Sequence, residues 1–323
     1  MGNRFRNNPV WRILRAPAVG PLVALLIAGI FFASQSDRFL TGRNLSLVVQ
    51  QVMVVGTLAI GQTLIILTRG IDLSNGLIMA LGSVLMTKLA VSSGVHPILA
   101  IFIGIAATAA FGLVNGLLVT RLELPPFIVT LGTLNTAFAL TRLYTTSTVT
   151  RLPPTQTFFG ETFTMLGTRI TYGSVLMLVL YLIVWYVLSY TPVGRHIYAV
   201  GDNPEAARLS GIPVQRLLTG VYMTAGFFYG VAGLLLVGRT GVGDPQAGQD
   251  GNLESITAVV LGGTSLFGGR GNILGTLIGA LIVGVFRNGL QLMGRSSIEQ
   301  VLITGILVIL AVAVDQLSRR GQS

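Results

Sequence analysis

The sequence predicts an all-α integral membrane protein of about ten transmembrane helices, some of them broken or re-entrant. Three observations predict it. Apolar types make up 52% of the 323 residues. Charged types make up 10%, against about 25% in a soluble globular domain. The apolar residues also fall in runs close to the roughly 20 needed to cross a bilayer. So little charge cannot cover a water-soluble protein of this size. A soluble enzyme, a nucleic-acid binder and a disordered tail all fit poorly.

Ten segments carry the pattern: residues 17–34, 45–68, 74–93, 97–120, 125–146, 172–191, 217–238, 253–268, 273–293 and 298–314. The eighth is short and glycine-rich, which suits a broken or re-entrant helix. Residues 1–16, with Arg4, Arg6, Arg12 and Arg15, read as a basic cytoplasmic tail before an uncleaved first span. Residues 1–323 then form a single transmembrane domain. Alternation from that start puts Arg69, Arg121, Arg195, Arg208, Arg216, Arg270, Arg319 and Arg320 inside with the tail. Arg38, Arg43, Arg151, Arg169, Arg239 and Arg295 fall outside. The inner excess obeys the positive-inside rule and puts both termini in the cytoplasm. The net charge of +10 thus points to an anionic lipid surface and not to nucleic acid. Glycine-interrupted starts after Arg69 and Arg270 form a weak internal echo. If spans two to five and seven to ten are repeats, the offset of five makes them inverted.

Chemistry is scarce. The chain has no cysteine, and His96 and His196 make no metal-ligand spacing. The one lysine, Lys88, sits in an apolar run, so no P-loop lysine exists to reach a nucleotide phosphate. Any ATP that drives this protein is bound by another subunit. Gly112 with Gly116, Gly226 with Gly230, and Gly275 with Gly279 are small residues four apart, which let a second helix sit close. Polar residues inside the spans cost more to bury and are more telling. Gln50, Gln51, Gln62, Asn115, Thr130, Thr133, Asn135 and Asn288 are neutral, and the acids Asp72, Glu254 and Asp315 fall at span ends. Amides and hydroxyls suit an uncharged polyhydroxylated solute, although interhelical bonding is the simpler role for any single one. Arg142 and Arg287, near span ends, are expected to snorkel.

Two breaks have clear local signals. At 70–76, Gly70 ends one helix and Asp72 or Ser74 caps the next, with Asn75 following. Residues 192–216 form the longest internal loop. In it Asp202 or Asn203 is an N-cap, Pro204 suits the first helical position and Glu205 complements the helix dipole. Ala206, Ala207, Arg208 and Leu209 continue the turn, Gly211 ends it and Pro213 prevents extension. The loop therefore carries a short, separate, capped helix of docking type.

This loop, the 63–76 stretch, Pro125-Pro-Phe-Ile-Val-Thr-Leu-Gly and the 258–271 stretch together resemble the permease subunit of ribose-, xylose- or galactose-type ATP-binding-cassette sugar importers. The resemblance runs from about Ala33 to Asp315. It implies a non-enzymatic transport subunit of the bacterial inner membrane that pairs with a second permease copy. It also implies a double-cassette ATPase inside, which supplies ATP and magnesium, and a periplasmic or lipoprotein sugar-binding protein outside. The turn at 202–211 matches the coupling helix of such permeases. Gln50, Gln51, Gln62, Asp72, Ser74, Asn75, Asn115, Thr130, Thr133, Asn135 and Asn288 become candidates for the substrate path. Arg43, Arg151, Arg169 and Arg239 become candidates for docking the binding protein. Arg69 and Asn75 stand where such permeases commonly have a small and an apolar residue. Nucleoside, inositol or autoinducer-type solutes, and a secondary carrier working without ATP, are the alternatives.

Overall fold

A computed structural model of the chain describes residues 19–165 and 168–320. The basic tail at 1–16 lies outside the described residues. A helix overlaps each of the ten expected spans, the eighth only over 253–261: α1 Val19–Gln35, α2 Gly42–Leu67, α3 Asn75–Ser92, α4 Pro97–Arg121, α5 Pro126–Tyr144, α6 Tyr172–Tyr190, α9 Val214–Thr240, α10 Gly251–Leu261, α11 Ile273–Leu292 and α12 Ser297–Arg320. Among the described residues, six of these (α2, α3, α4, α6, α9 and α11) are long and apolar enough to cross a membrane. The eighth expected span, α10, has 11 residues. At 1.5 Å per residue it reaches only about 16 Å and cannot cross alone.

The loop at 192–216 holds two helices where the sequence suggested one: α7 Pro192–Asp202 and α8 Pro204–Leu209. Among the described residues the fold departs from all-α in one short hairpin and one isolated bridge, Val149 with Gly243. Thr162–Met165 (β1) and Thr168–Thr171 (β2) pair antiparallel, Thr162 opposite Thr171. Threonine and aromatic residues favour a pleated surface, and this segment has no apolar run long enough to form a span.

α2 is the centre of the bundle. Every residue from 52 to 67 is buried, as expected of a helix that is apolar all round. α9 packs against it antiparallel, Gly61 against Ala225. α9 in turn lies along α4 in a seam of small residues. A Cβ on Gly112 would stand 2.2 Å from the Tyr222 carbonyl oxygen, and one on Gly226 would stand 2.4 Å from that of Thr108. Gly116 faces Thr219 and Gly230 faces Ile105. Gly275 and Gly279 likewise admit Gly262 and Ala258 of the α10 end. All three small-residue pairs therefore act as helix contacts. Gly226→Leu is expected to destabilise the purified protein by about 1–3 kcal/mol or more through overpacking. Gly220→Ala, with no atom near its added Cβ, should be neutral or stabilising. Thermal unfolding of both variants checks the contrast, and equal losses would refute the seam.

Outward faces of α1, α4, α5 and α6 carry large apolar side chains, among them Ile30, Phe102, Leu143 and Leu182, all more than half exposed. In a bilayer these meet lipid. The hydrophobic helices and their apolar exterior make the chain a multi-pass membrane protein.

Candidate functional site

Three polar groupings interrupt the apolar bundle. The first lies at the end where α2 stops. Thr191 caps α7 by accepting the Gly194 N–H. α7 ends against α2 so closely that a Cβ on Gly201 would meet the Leu67 carbonyl oxygen at 1.8 Å. Asn203, and not Asp202, caps α8: its Oδ1 accepts the Glu205 and Ala206 N–H groups at 3.1 and 3.0 Å. Asp202 is the last residue of α7. Gly211, at φ 83°, closes α8, and the Ile212 N–H returns to the Ala207 carbonyl, a left-handed cap that glycine adopts freely.

Only Ala207 of α8 is buried; Glu205, Ala206, Arg208 and Leu209 face outward, Leu209 at 77% exposure. Arg208 donates to Glu205 at 2.6 Å. That hydrogen bond, and then the charge behind it, holds the Glu205 carboxyl below the ordinary carboxylate range. A lowered carboxyl pKa stabilises above the ordinary glutamate value, and the contribution is lost as pH falls through the lowered one. At neutral pH the pair is therefore intact, though as an exposed pair it adds little. Arg69 ties this end together. Held at φ 65°, it donates from Nε to the Phe267 carbonyl at 3.0 Å and from Nη2 to the Asp202 carbonyl.

The second grouping surrounds the break between α2 and α3. Asp72, fully buried, accepts from the Ser74 N–H at 2.7 Å, the Ser74 hydroxyl at 2.5 Å and the Tyr229 hydroxyl at 3.0 Å. Asp72 is the capping side chain; Ser74 makes none. Asn115 donates to the Ser74 hydroxyl at 3.2 Å, and Thr130 to the Ile71 carbonyl at the same distance. Asn75 donates to Gln62 at 2.9 Å and to Ser255 at 2.8 Å. Six sequence candidates thus gather at the break: Asp72, Ser74 and Asn115 in one hydrogen-bonded cluster, Gln62 and Asn75 in a second, and Thr130 on the Ile71 carbonyl. Tyr229 joins the first cluster and Ser255 the second, neither of them a sequence candidate. The Gln62 Nε2, Asn75 Oδ1, Asn115 Oδ1 and Tyr222 hydroxyl are buried without a partner among the described residues. Here α3 and α10 both begin: a Cβ on Gly76 would stand 2.2 Å from the Gly248 carbonyl oxygen.

The third grouping lies toward the other end. Asn44 and Asn288 exchange amide hydrogen bonds at 2.8 and 2.9 Å, and Gln51 donates to Gln291 at 3.2 Å. Gln50 donates to Ser46 of its own helix. Beside them Arg287 donates to Glu254 at 2.5 Å, their side chains 39% and 14% exposed. Arg239 and Asp250 lie within electrostatic range of this pair. A cavity of about 80 Å³ opens on Asp250, Glu254, Arg287, Gln291 and Gln300, with room for a few waters.

The expectation for Arg287 is therefore corrected: it pairs inside the protein and does not snorkel. Two of the supposed span-end acids also prove interior. Asp72 lies in the core, and Glu254 lies on a helix that starts inside the bundle. Arg287 carried a signal, since it interrupts an otherwise apolar run, whereas Glu254 follows the polar stretch 249–252 and precedes the apolar one. Among the described residues Thr133 and Asn135 bond only to carbonyls of their own helix, and Asn135 is exposed, so they stand apart. Arg142 stacks on Phe138 at 4.9 Å. Of the arginines singled out for docking, Arg43, Arg151 and Arg169 are exposed at the same end as Asn44, while Arg239 turns toward the Glu254 pair.

Comparison with known proteins agrees with this architecture. The family described as branched-chain amino acid transport system / permease component matches residues 44–312. The fructose import permease protein FrcC of Rhizobium meliloti is 46% identical over 94% of this chain and 87% of its own. The ribose import permease protein RbsC of Bacillus subtilis is 42% identical over 92% of each. The galactose/methyl galactoside import permease protein MglC of Haemophilus influenzae is 33% identical over 91% of this chain and 92% of its own. No solved structure gives a significant match. With the match spanning most of its length, the chain belongs to this family of transport-system permease components, and is a transport subunit rather than an enzyme.

Proposed function

We propose that this chain is the membrane-spanning subunit of an ATP-binding-cassette importer that carries a monosaccharide of the ribose, fructose or galactose type. One observation carries the reading: α8 is a capped, separately folded, outward-facing helix on a chain that holds no nucleotide-binding loop, among relatives that are import permeases for sugars. A double-cassette ATPase, charged with ATP and magnesium, grips α8 from the cytoplasm. A periplasmic or lipoprotein binding protein delivers sugar at the opposite end, near Arg43, Arg151 and Arg169. A second permease copy completes the path. The protein sits in the bacterial inner membrane with both termini inside.

Sugar passes beside Gln51, Gln291, Glu254 and Arg287, where carboxylate acceptors and guanidinium donors match a polyol. The contacts of α2 with α9, and of the α3 start with that of α10, support the inverted repeat. Each pair is related by five spans and runs in opposite directions.

Reconstitution tests the reading. Vesicles containing the chain, the ATPase and the binding protein should accumulate labelled sugar only when ATP is supplied on the ATPase side. Accumulation by this chain alone under an ion gradient would overturn it in favour of a secondary carrier.

A further inference from the structure

We propose that the pocket between the inner ends of α4 and α9 holds the phosphate of an anionic phospholipid. The pocket, of about 400 Å³, is lined by Leu117, Thr120, Arg121, Gln215, Arg216 and Thr219. Its floor is the end of the glycine seam, where the Thr120 and Thr219 hydroxyls bond at 2.9 Å. Arg121 and Arg216 stand at its rim, exposed. Neither forms an ion pair or hydrogen bond among the described residues. Glu123, two residues from Arg121, pairs with neither of them. Two exposed guanidinium groups that hold no protein partner among the described residues and line one pocket form a receptor for a phosphate diester, which guanidinium forks bind in bidentate fashion.

The surface above the pocket argues that the phosphate belongs to a lipid. From Arg121, helical spacing leads up α4 through Leu117 and Val114, 36% and 47% exposed. From Arg216, the same spacing leads up α9 through Met223 and Phe227, 45% and 41% exposed. Leu117 and Val114 lie at i−4 and i−7 from Arg121, and Met223 and Phe227 at i+7 and i+11 from Arg216, so each set forms one stripe along its helix. Two apolar stripes rising from a bidentate phosphate site match a headgroup with two acyl chains. Basic pockets between helices at the cytoplasmic surface suit such lipids. The site also has a position that matters, since Arg216 lies two residues into α9, directly after α8 and Pro213. A lipid bound there braces the joint on which a cytoplasmic motor would pull. The placement in the inner leaflet rests on the orientation proposed above, but binding itself is measured without transport.

Native mass spectrometry of the full-length detergent-solubilised chain, titrated with phosphatidylglycerol or phosphatidylcholine, tests this. The wild type should retain phosphatidylglycerol preferentially. Arg121→Gln with Arg216→Gln should weaken retention about 30-fold, about fivefold per arginine. Arg121→Lys with Arg216→Lys should retain most of it, and Arg38→Gln with Arg295→Gln, two exposed arginines at the other end, should leave phosphatidylglycerol retention unchanged. Undiminished retention in the glutamine variant would overturn the proposal, as would an equal loss in the distant control. Glycerol phosphate binding as tightly as the lipid would overturn the lipid assignment. Unchanged thermal unfolding of the glutamine variant in phosphatidylcholine keeps loss of binding distinct from loss of fold.

Discussion

Replacing Arg287 by alanine is expected to destabilise the purified permease by about 3 kcal/mol, the low end of the cost of breaking a buried ion pair. Glu254 would be left with 14% of its side chain exposed and its nearest cation gone. The low end applies because Arg287 itself is 39% exposed and water can partly replace it. Removing both charges, Arg287→Ala with Glu254→Ala, should recover much of the loss, because no unpaired carboxylate remains. Thermal unfolding midpoints of the two variants decide the matter. If the double variant is as unstable as the single one, the arginine contributes by packing and not by charge. A path role adds a second signature: Glu254→Gln should raise the sugar concentration needed for half-maximal uptake while leaving membrane insertion intact.

Alanine at both Glu205 and Arg208 should weaken association with the ATPase about 30-fold, the effect of truncating an interface hot spot. Uptake should fall with it, while ATP hydrolysis by the ATPase alone stays unchanged. The exchanged variant, Glu205→Arg with Arg208→Glu, separates helix integrity from recognition. It restores the internal pair but presents the wrong charge at each position. Uptake should remain low there too. Normal uptake in both variants would mean that the motor grips some other surface.

The positions of the helices were legible because each depends on local signals. Pro97, Pro126 and Pro204 stand at helix starts, where the missing N–H costs nothing. Asn203 and Gly211 bracket α8 as capping chemistry requires. The glycine pairs could be read as contacts because close approach has few other uses for them. Which helix each pair meets could not be read, since that is set by tertiary packing. The same limit explains the polar residues. Gln62, Asn75 and Asn115 belong together only because α2, α3 and α4 converge at the break. Glu254 and Arg287, 33 residues apart in sequence, are joined only by the α10–α11 packing. Glu254 read as a span-end acid because an apolar run gives no sign that its helix begins in mid-bundle. The first helix in the 192–216 loop was missed because its start, Pro192 after Thr191, continues directly from α6.

The glycine seam also limits how any push at α8 can travel. α9 begins just beyond Pro213 and is keyed into α4 at Gly112, Gly116, Gly226 and Gly230, with backbone against backbone. Such teeth leave no slack for one rod to slide or roll past the other. Force delivered at the cytoplasmic foot must swing both rods as a single plank, so their far ends, near Pro97 and Thr240, travel together. Spin labels at those two far ends should therefore keep a fixed separation through the ATP cycle, even as each shifts against α2.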